Sequence, residues 1–164
     1  SLRDGIKTIN REGVCPEKNW PYHIDKFTVK PTDACYQIAH HHHAVQYHRV
    51  NQNQKSICAV LQQNLPIIFG FLVYPSFEVE EVAKTGIVPL PQKGEKSVGG
   101  HAVAIVGYQP SSDDSDESLF IVRNSWGEDW GDKGYCYFPE SYILNPDLAF
   151  DFWVVQKVEN SQFE

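Results

Sequence analysis

"GGHAVAIVGY" (Gly99–Tyr108) and "LFIVRNSWGEDWGDKGY" (Leu119–Tyr135) are two apolar stretches that a polar segment joins. The β-branched and aromatic residues of each stretch are typical of buried strands. The joining segment, "PSSDDSDES", combines serine, aspartate and proline, which is typical of a hairpin connection lengthened into a surface loop. The two stretches are therefore predicted to form an antiparallel hairpin.

His101 and Asn124 lie at the open end of this predicted hairpin. The end of the second strand of a hairpin lies beside the start of the first, so the two residues are expected to be neighbours. A histidine after two glycines is by itself also compatible with a strand-end ring bonded to a carbonyl. An amide oxygen held against a ring N–H, however, fixes the tautomer and orientation that a catalytic acid or base needs. Trp126 is expected to cover that hydrogen bond and keep water away from it.

The remainder of the chain predicts an α+β fold. "SLRDGIKTINREG" has one apolar helical face, a start of the capping-box type at Ser1 and Asp4, and a stop at Gly13. A second helix is predicted through "ACYQIAHHHHAVQYH", capped by Asp33, and a third through "NQKSICAVLQQN". Buried strands are predicted at "PIIFGFLVY", "GYCYF" and "DFWVVQKV", besides the two of the hairpin. Helices followed by clustered strands indicate an antiparallel sheet in the second half.

Composition and charge exclude two classes of partner. The chain has 164 residues, which suits one domain or a large part of one, and 41% of them are hydrophobic. The net charge of −7 leaves no basic surface for a nucleic acid. No apolar run reaches the roughly 18 residues of a membrane span. We therefore expect a soluble protein with neither a nucleic-acid nor a membrane partner, of undetermined compartment.

The cysteines, histidines and acidic loop do not form a predicted metal site. The four cysteines lack a C-x-x-C zinc pair and allow three pairings if all are oxidised, among which the sequence does not choose. Cys58 is expected to be a buried inert thiol on a helix. Successive residues on a helix point about 100° apart, so at most two of the histidines His40–His43 would share an ion, and a solvated helix surface is favoured. The loop at Pro110–Ser118 lacks the ligand spacing of an EF-hand, and a solvated loop is favoured there too.

Three parts of the sequence together resemble the papain-like cysteine peptidases. "GGHAVAIVGY" with "IVRNSWGEDWGDKGY" resembles the histidine and asparagine region of that family. "NWPY" is similar to its Tyr-Pro-Tyr-type junction, and Ser1–Pro16 resembles a subset of bacterial and viral-type members that carry a Ser-x-Arg-Asp-Gly helix. The resemblance runs from Ser1 to about Val158. It implies a helical half and a β-barrel-like half, of which residues 1–164 form a partial, C-terminal portion without an internal boundary.

The resemblance also implies a chemistry and its residues. A cysteine thiolate attacks a peptide carbonyl, a histidine protonates the leaving amine, and water hydrolyses the thioester. His101 is then the acid and base, and Asn124 orients it. The resemblance places the active site in the cleft between the two halves. Four further residues are expected to support this cleft: Gly99, Gly100, Trp126 and Trp130. Trp126 would shield the pair, and Trp130 would line the leaving-group side. No cofactor is implied.

The nucleophile motif of the family does not occur in this sequence. In papain-type enzymes the histidine and asparagine follow the cysteine by about 130–150 residues, whereas only 100 residues precede His101. None of the four cysteines of the chain has the sequence context of the nucleophile. They are Cys15, Cys35, Cys58 and Cys136. The nucleophile is therefore expected upstream of Ser1, on an N-terminal segment of the same protein that completes the site for a peptide or protein substrate. The chain alone is expected to be inactive.

Two other functions are compatible with the same motifs. A non-catalytic homologue would use the cleft to bind a peptide or protein, although a binding cleft does not need an imidazole oriented by an amide. A second variant would keep the catalytic pair but transfer acyl groups to amines instead of water. The residue that occupies the nucleophile position discriminates the first, and product analysis with an added amine discriminates the second.

Overall fold

The computed structural model describes residues 1–113 and 117–160. The chain divides into two compact units. Of the described residues, the smaller unit contains Ser1, Arg3–His48 and residues 155–160, and the larger unit contains Leu2 and Arg49–Val154. The regular elements, in chain order, are α1 (Leu2–Glu12), α2 (Asp33–Ala39), β1 (His42–Arg49), α3 (Gln54–Leu61), β2 (Ile67–Val73), α4 (Glu80–Thr85), β3 (Gly99–Gln109), β4 (Leu119–Arg123), β5 (Tyr135–Pro139), α5 (Glu140–Ile143) and β6 (Ala149–Asn160).

An antiparallel sheet forms the larger unit. Its strand order is β6–β2–β3–β4–β5, and β6 continues into the smaller unit, where its neighbour is β1. The sequence predicted β2 to β6, and all five are confirmed. The strands follow one another in a linear order, so the β-rich half that the resemblance implied is an open sheet and not a closed barrel. The prediction of a single partial domain stays a prediction.

The β3–β4 hairpin is the part of this sheet that positions the site. Gln109 pairs with Leu119 at one end of the ladder, and Ala104 pairs with Arg123 near the other. The register shifts between Ile105 and Gly107, which is the pattern of a β-bulge. The predicted hairpin is therefore confirmed. Asp114–Asp116, in the predicted acidic loop, lie outside the described residues.

Aromatic side chains fill the core of the larger unit. The rings of Phe69 and Phe152 stack at a centroid distance of 5.2 Å, and Phe71 meets Phe138 edge to face at 5.0 Å. Edge-to-face and offset stacked rings add to the stability that comes from burying their apolar area. Ile57 of α3 is fully buried in the same core. The strands of the larger unit therefore share one buried hydrophobic core.

Hydrogen bonds from α1 and the residues after it hold the smaller unit together. Ser1 Oγ accepts from the Asp4 N–H in the predicted capping box, and Ile6 is buried. Asn10 Nδ2 donates to the carbonyl of Ala44 at 2.5 Å, and the Val14 N–H donates to the carbonyl of His42 at 3.1 Å. Both acceptors belong to the backbone of β1, so β1 is fixed by contacts from distant residues.

The prediction of a long second helix is wrong. Asp33 begins α2 instead of capping it, Thr32 occupies the N-cap position, and the helix ends at Ala39. The residues from His42 to Arg49 form β1, because Asn10 and Val14 donate hydrogen bonds to carbonyl groups of its extended backbone. The predicted solvated helix surface at His40–His43 is therefore wrong as well. α1 and α3 agree with their predictions, and Asn53 caps α3 by accepting from the Ser56 N–H at 2.9 Å.

No helix in the described part of the chain combines the length and the apolar character needed to cross a bilayer.

Candidate active site

His101 and Asn124 are brought together at the open end of the β3–β4 hairpin. His101 is the third residue of β3, and Asn124 directly follows β4. The distance between His101 Nε2 and Asn124 Oδ1 is 2.8 Å, although 23 positions separate the residues. The backbone N–H of Asn124 also donates to the carbonyl of Gly134 at 2.9 Å. The predicted juxtaposition is therefore present.

The hydrogen bonds of Asn124 fix the tautomer of His101. Asn124 Oδ1 also accepts from the backbone N–H of Ser125 at 2.8 Å. Because that N–H is always a donor, the atom of Asn124 facing it must be the oxygen and not the amide nitrogen. A carbonyl oxygen only accepts, so His101 Nε2 must carry a proton. In the neutral ring, Nδ1 is then the nitrogen with a free lone pair.

The His101 ring lies between two aromatic side chains. Trp126 stacks on it at a centroid distance of 5.0 Å and an interplanar angle of 22°, and Phe71 meets it edge to face at 5.8 Å. Trp126 in turn contacts Trp130 at 5.1 Å. Trp126 remains 46% exposed, whereas Asn124 is only 7% exposed. The hydrogen-bonded pair is thus supported from the core side and overlaid by an indole that faces solvent.

Sequence reasoning did not identify Phe71 as part of this site. Phe71 is fully buried in β2, and the β2–β3 register places it opposite His101. The sequence contained a signal for such a neighbour. If β2 and β3 are antiparallel neighbours, an apolar residue of β2 must lie opposite His101. The register itself depends on the loop and helix between the strands, which periodicity does not specify.

Gly99 and Gly100 lie in an exposed position at the start of β3. A Cβ placed on Gly99 would meet no atom within 4 Å, and one on Gly100 would meet only the carbonyl oxygen of Phe71, at 3.7 Å. The packing of the described residues therefore does not require glycine at either position. The absence of side chains leaves open space beside the His101 backbone.

The amide nitrogen of Asn124 is the one buried side-chain polar atom without a hydrogen-bond partner in the described part of the chain. Leaving such a donor unpaired costs about 1–3 kcal/mol. A cavity of about 380 Å³ lies beside Asn124, lined mainly by apolar atoms of β3 and its neighbours. The site is thus incomplete in its hydrogen bonding.

The thiols with perturbed pKa values are not activated nucleophiles. Burial raises the pKa of Cys136 to about 12, and burial also raises the pKa of Cys58 above its usual range. The pKa of Cys15 is raised too, first by burial and then by Cys35. Since the thiolate is the reactive form of cysteine, these shifts oppose nucleophilic attack at neutral pH.

The histidine tract makes structural contacts inside the smaller unit. Among the described residues no group of three or more histidine, cysteine, aspartate or glutamate side chains is arranged to hold a metal ion. The rings of His40 and His43 stack at 5.8 Å, and His43 Nδ1 lies 3.0 Å from the carbonyl oxygen of Asn10. His43 therefore has a structural contact with the residue that also bonds to Ala44.

Comparison with known proteins gives one consistent family. The sequence profile of the papain family cysteine proteases matches residues 2–143. An uncharacterized peptidase C1-like protein of Acanthamoeba polyphaga mimivirus is 41% identical over 165 residues, which cover 96% of this chain and 51% of that protein. Cathepsin B-like protease 1 of Arabidopsis thaliana is 34% identical over 94 residues, which cover 57% of this chain and 23% of that protein.

A solved structure extends the likeness to the fold. Xylellain, a cysteine protease from Xylella fastidiosa, matches with a TM-score of 0.81 and 41% identity over 94% of this chain and 60% of the xylellain chain. The chain thus spans about half the length of the mimivirus protein and 60% of the xylellain chain. A profile match over most of the chain and a shared fold lead to the same conclusion: the chain belongs to the papain family of cysteine proteases.

Proposed function

We propose that this chain is the C-terminal portion of a cysteine endopeptidase, in which His101 acts as acid and base and Asn124 orients it. The observation that carries the proposal is the 2.8 Å contact between His101 Nε2 and Asn124 Oδ1. A histidine whose tautomer is fixed by an amide oxygen is arranged for proton transfer at its other nitrogen. Membership of the papain family gives the reaction class.

The proposed mechanism begins at His101 Nδ1. This nitrogen takes the proton of a cysteine thiol, and the thiolate attacks the carbonyl carbon of a peptide bond. The imidazolium then gives its proton to the amine nitrogen as the C–N bond breaks, which leaves a thioester. His101 Nδ1 next takes a proton from water, whose oxygen attacks the thioester and releases the carboxylic acid and the thiol. Asn124 holds the ring in one orientation through every step.

Trp126, Trp130, Gly99 and Gly100 have supporting roles in the proposal. The indole of Trp126 lies over the His101 ring and limits the access of water to the His101–Asn124 hydrogen bond. Trp130 packs on Trp126 and is assigned to the leaving-group side of the cleft. The open space at Gly99 and Gly100 lets a substrate backbone approach β3 closely.

The nucleophile is proposed to lie on a segment upstream of Ser1 in the same protein. The raised pKa values of Cys15, Cys58 and Cys136 disfavour them as the nucleophile. The buried amide nitrogen of Asn124 also needs an acceptor, which a backbone carbonyl of that segment would supply. The relatives are longer than this chain, and the chain without such a segment is proposed to be inactive.

The test compares the full-length protein with two histidine variants. Full-length protein is expected to cleave a fluorogenic peptide and to lose activity after treatment with a thiol-directed epoxide. His101→Ala is expected to lower kcat/KM by about 10²–10⁴-fold. His48→Ala, at an exposed position of β1, is the matched control and should leave kcat/KM unchanged.

Two results would overturn the proposal. One is a full-length protein that binds peptides without cleaving them, which is the behaviour of a non-catalytic homologue. The other is equal activity of the His101→Ala and His48→Ala proteins. Cleavage by the isolated 164-residue chain would instead refute the upstream position of the nucleophile.

A further inference from the structure

Cys15 and Cys35 are neighbours inside the smaller unit. Their side chains line one cavity of about 210 Å³ between α1 and α2. Cys35 raises the pKa of Cys15, in addition to burial, as expected for neighbouring thiols. Cys35 Sγ also lies 3.2 Å from Thr32 Oγ1 and 3.6 Å from the carbonyl oxygen of Asn19. Of the three full pairings that four cysteines allow, the shared cavity favours the one containing Cys15–Cys35.

The chain between these cysteines has little packing of its own. Its only helical turn in the described structure before α2 is Ile24–Lys26, which has no buried residue. Three of its apolar side chains are largely exposed to solvent: Tyr22 at 73%, Ile24 at 70% and Phe27 at 79%. Few buried apolar contacts therefore oppose local opening of this segment.

We propose that Cys15 and Cys35 are a thiol–disulfide site, oxidised by a low-molecular-weight disulfide, that closes the segment Pro16–Ala34 into a covalent loop. Both thiols line the same cavity, so bond formation is expected to need rotation and approach of the two side chains rather than refolding. The site belongs to the smaller unit, and the proposed peptidase chemistry does not use it.

The exchange takes place in two balanced steps. Cys15, which is half-buried, loses its proton and attacks one sulfur of the small disulfide, whose other sulfur leaves as a thiolate. Cys35, which is buried, then loses its proton and attacks the Cys15 sulfur, and the second small thiolate leaves. Two protein thiols are thereby oxidised, and one small disulfide is reduced to two thiols. Dithiothreitol reverses both steps.

The rate of closure should increase with pH. Burial, and then the neighbouring Cys35, raise the pKa of Cys15 above the ordinary value of a thiol. The reactive thiolate of Cys15 is therefore scarce at neutral pH, and its fraction grows tenfold for each pH unit below the pKa. Exchange is expected to be about tenfold faster at pH 8 than at pH 7.

The experiment equilibrates the intact protein with glutathione disulfide, blocks free thiols with iodoacetamide and digests it with trypsin without reduction. Cleavage after Arg11, Lys18, Lys26 and Arg49 places the two cysteines on separate peptides. The bond between Lys30 and Pro31 resists trypsin, so the second peptide begins at Phe27. The expected product is peptide 12–18 linked by a disulfide to peptide 27–49. Reduction should release both peptides.

The control variants separate this pairing from other reactions of thiols. Cys58→Ser should form the linked product as the parent does, and Cys35→Ser should not form it. Recovery of Cys15 and Cys35 as carbamidomethyl peptides after oxidation would overturn the proposal. Recovery of each as a separate glutathione adduct, or of Cys15 linked to another cysteine, would overturn it too. These readings are independent of peptidase activity, and the parent protein alone decides the question if a variant fails to fold.

Discussion

The larger and the smaller unit are stabilised in different ways. The larger unit buries aromatic rings of several strands in one core, and the 7% exposed Asn124 lies at its margin. The smaller unit buries Ile6, Cys35, Ala39 and Ala44, and fixes β1 through hydrogen bonds from Asn10 and Val14. The histidine–asparagine pair, which needs a geometry accurate to a fraction of an ångström, lies in the larger unit. The loosely packed segment with the proposed covalent closure lies in the smaller one.

The largest effect on stability is expected from Phe71→Ala. Phe71 is fully buried and contacts Phe77, Phe138 and His101, so its loss leaves a cavity and removes a support of the His101 ring. We expect the free energy of unfolding to fall by about 3–5 kcal/mol in urea titrations. Phe27→Ala, at a 79% exposed position of the smaller unit, should change it by less than about 0.5 kcal/mol. Equal losses would refute the contrast between the units.

A somewhat smaller loss is expected from Gly13→Ala. Gly13 has φ 78°, and a Cβ there would lie 1.8 Å from the carbonyl oxygen of Ala39. Left-handed backbone and overlap with main-chain atoms should together lower the free energy of unfolding by about 2–4 kcal/mol. Gly94→Ala is the control, because Gly94 has φ 92° but open space around it, and strain alone should cost about 1–2 kcal/mol. Thermal unfolding of both variants tests whether close backbone packing holds the smaller unit.

Removal of the cap of α3 should have a more modest effect. Asn53 Oδ1 accepts from the Ser56 N–H at 2.9 Å, and Asn53→Ala leaves that donor without its partner. The expected cost is about 1 kcal/mol in urea titrations. Asn51→Ala, an exposed position two residues earlier, should be neutral. A loss above that of Gly13→Ala would mean that the cap stabilises the fold more than the close backbone packing at Gly13 does.

The smallest effect is a local response to acid at Glu95. Its carboxylate accepts from the backbone N–H of Gln92 at 2.5 Å and of Ser76 at 2.9 Å, which holds its pKa below the ordinary value. A lowered folded pKa means that this contribution is complete above the ordinary value and is lost as the pH falls through the folded pKa. Amide exchange in residues 75–95 should therefore accelerate at low pH, after correction for intrinsic rates.

Glu95→Gln provides the comparison for the acid response. This variant has no carboxylate to protonate, so its protection in the same segment should not show the additional loss at low pH. An acid-induced loss of protection of equal size in both proteins would assign the response to other groups.

The sequence predicted the elements of the larger unit better than those of the smaller one. β2 to β6 are short apolar runs bounded by turn residues, and the hairpin rule was sufficient to bring His101 beside Asn124. The end of α2 could not be predicted, because β1 is fixed by Asn10 and Val14, which are distant in sequence. The same limit applies to the cavity that Cys15 and Cys35 share and to the support that Phe71 gives to His101.

The β3–β4 hairpin offers a place where the protein can be lengthened for engineering. Gln109 pairs with Leu119, so the connection between them starts and ends on a closed ladder. At about 3.3 Å per residue, Leu119 lies roughly 17 Å along the strand from Asn124. An epitope or a fluorescent label inserted after Ser112, an exposed residue, would add loop-closure entropy but would not shift the ladder at Ala104 and Arg123. The protein could thus be labelled or immobilised there with its histidine–asparagine pair undisturbed.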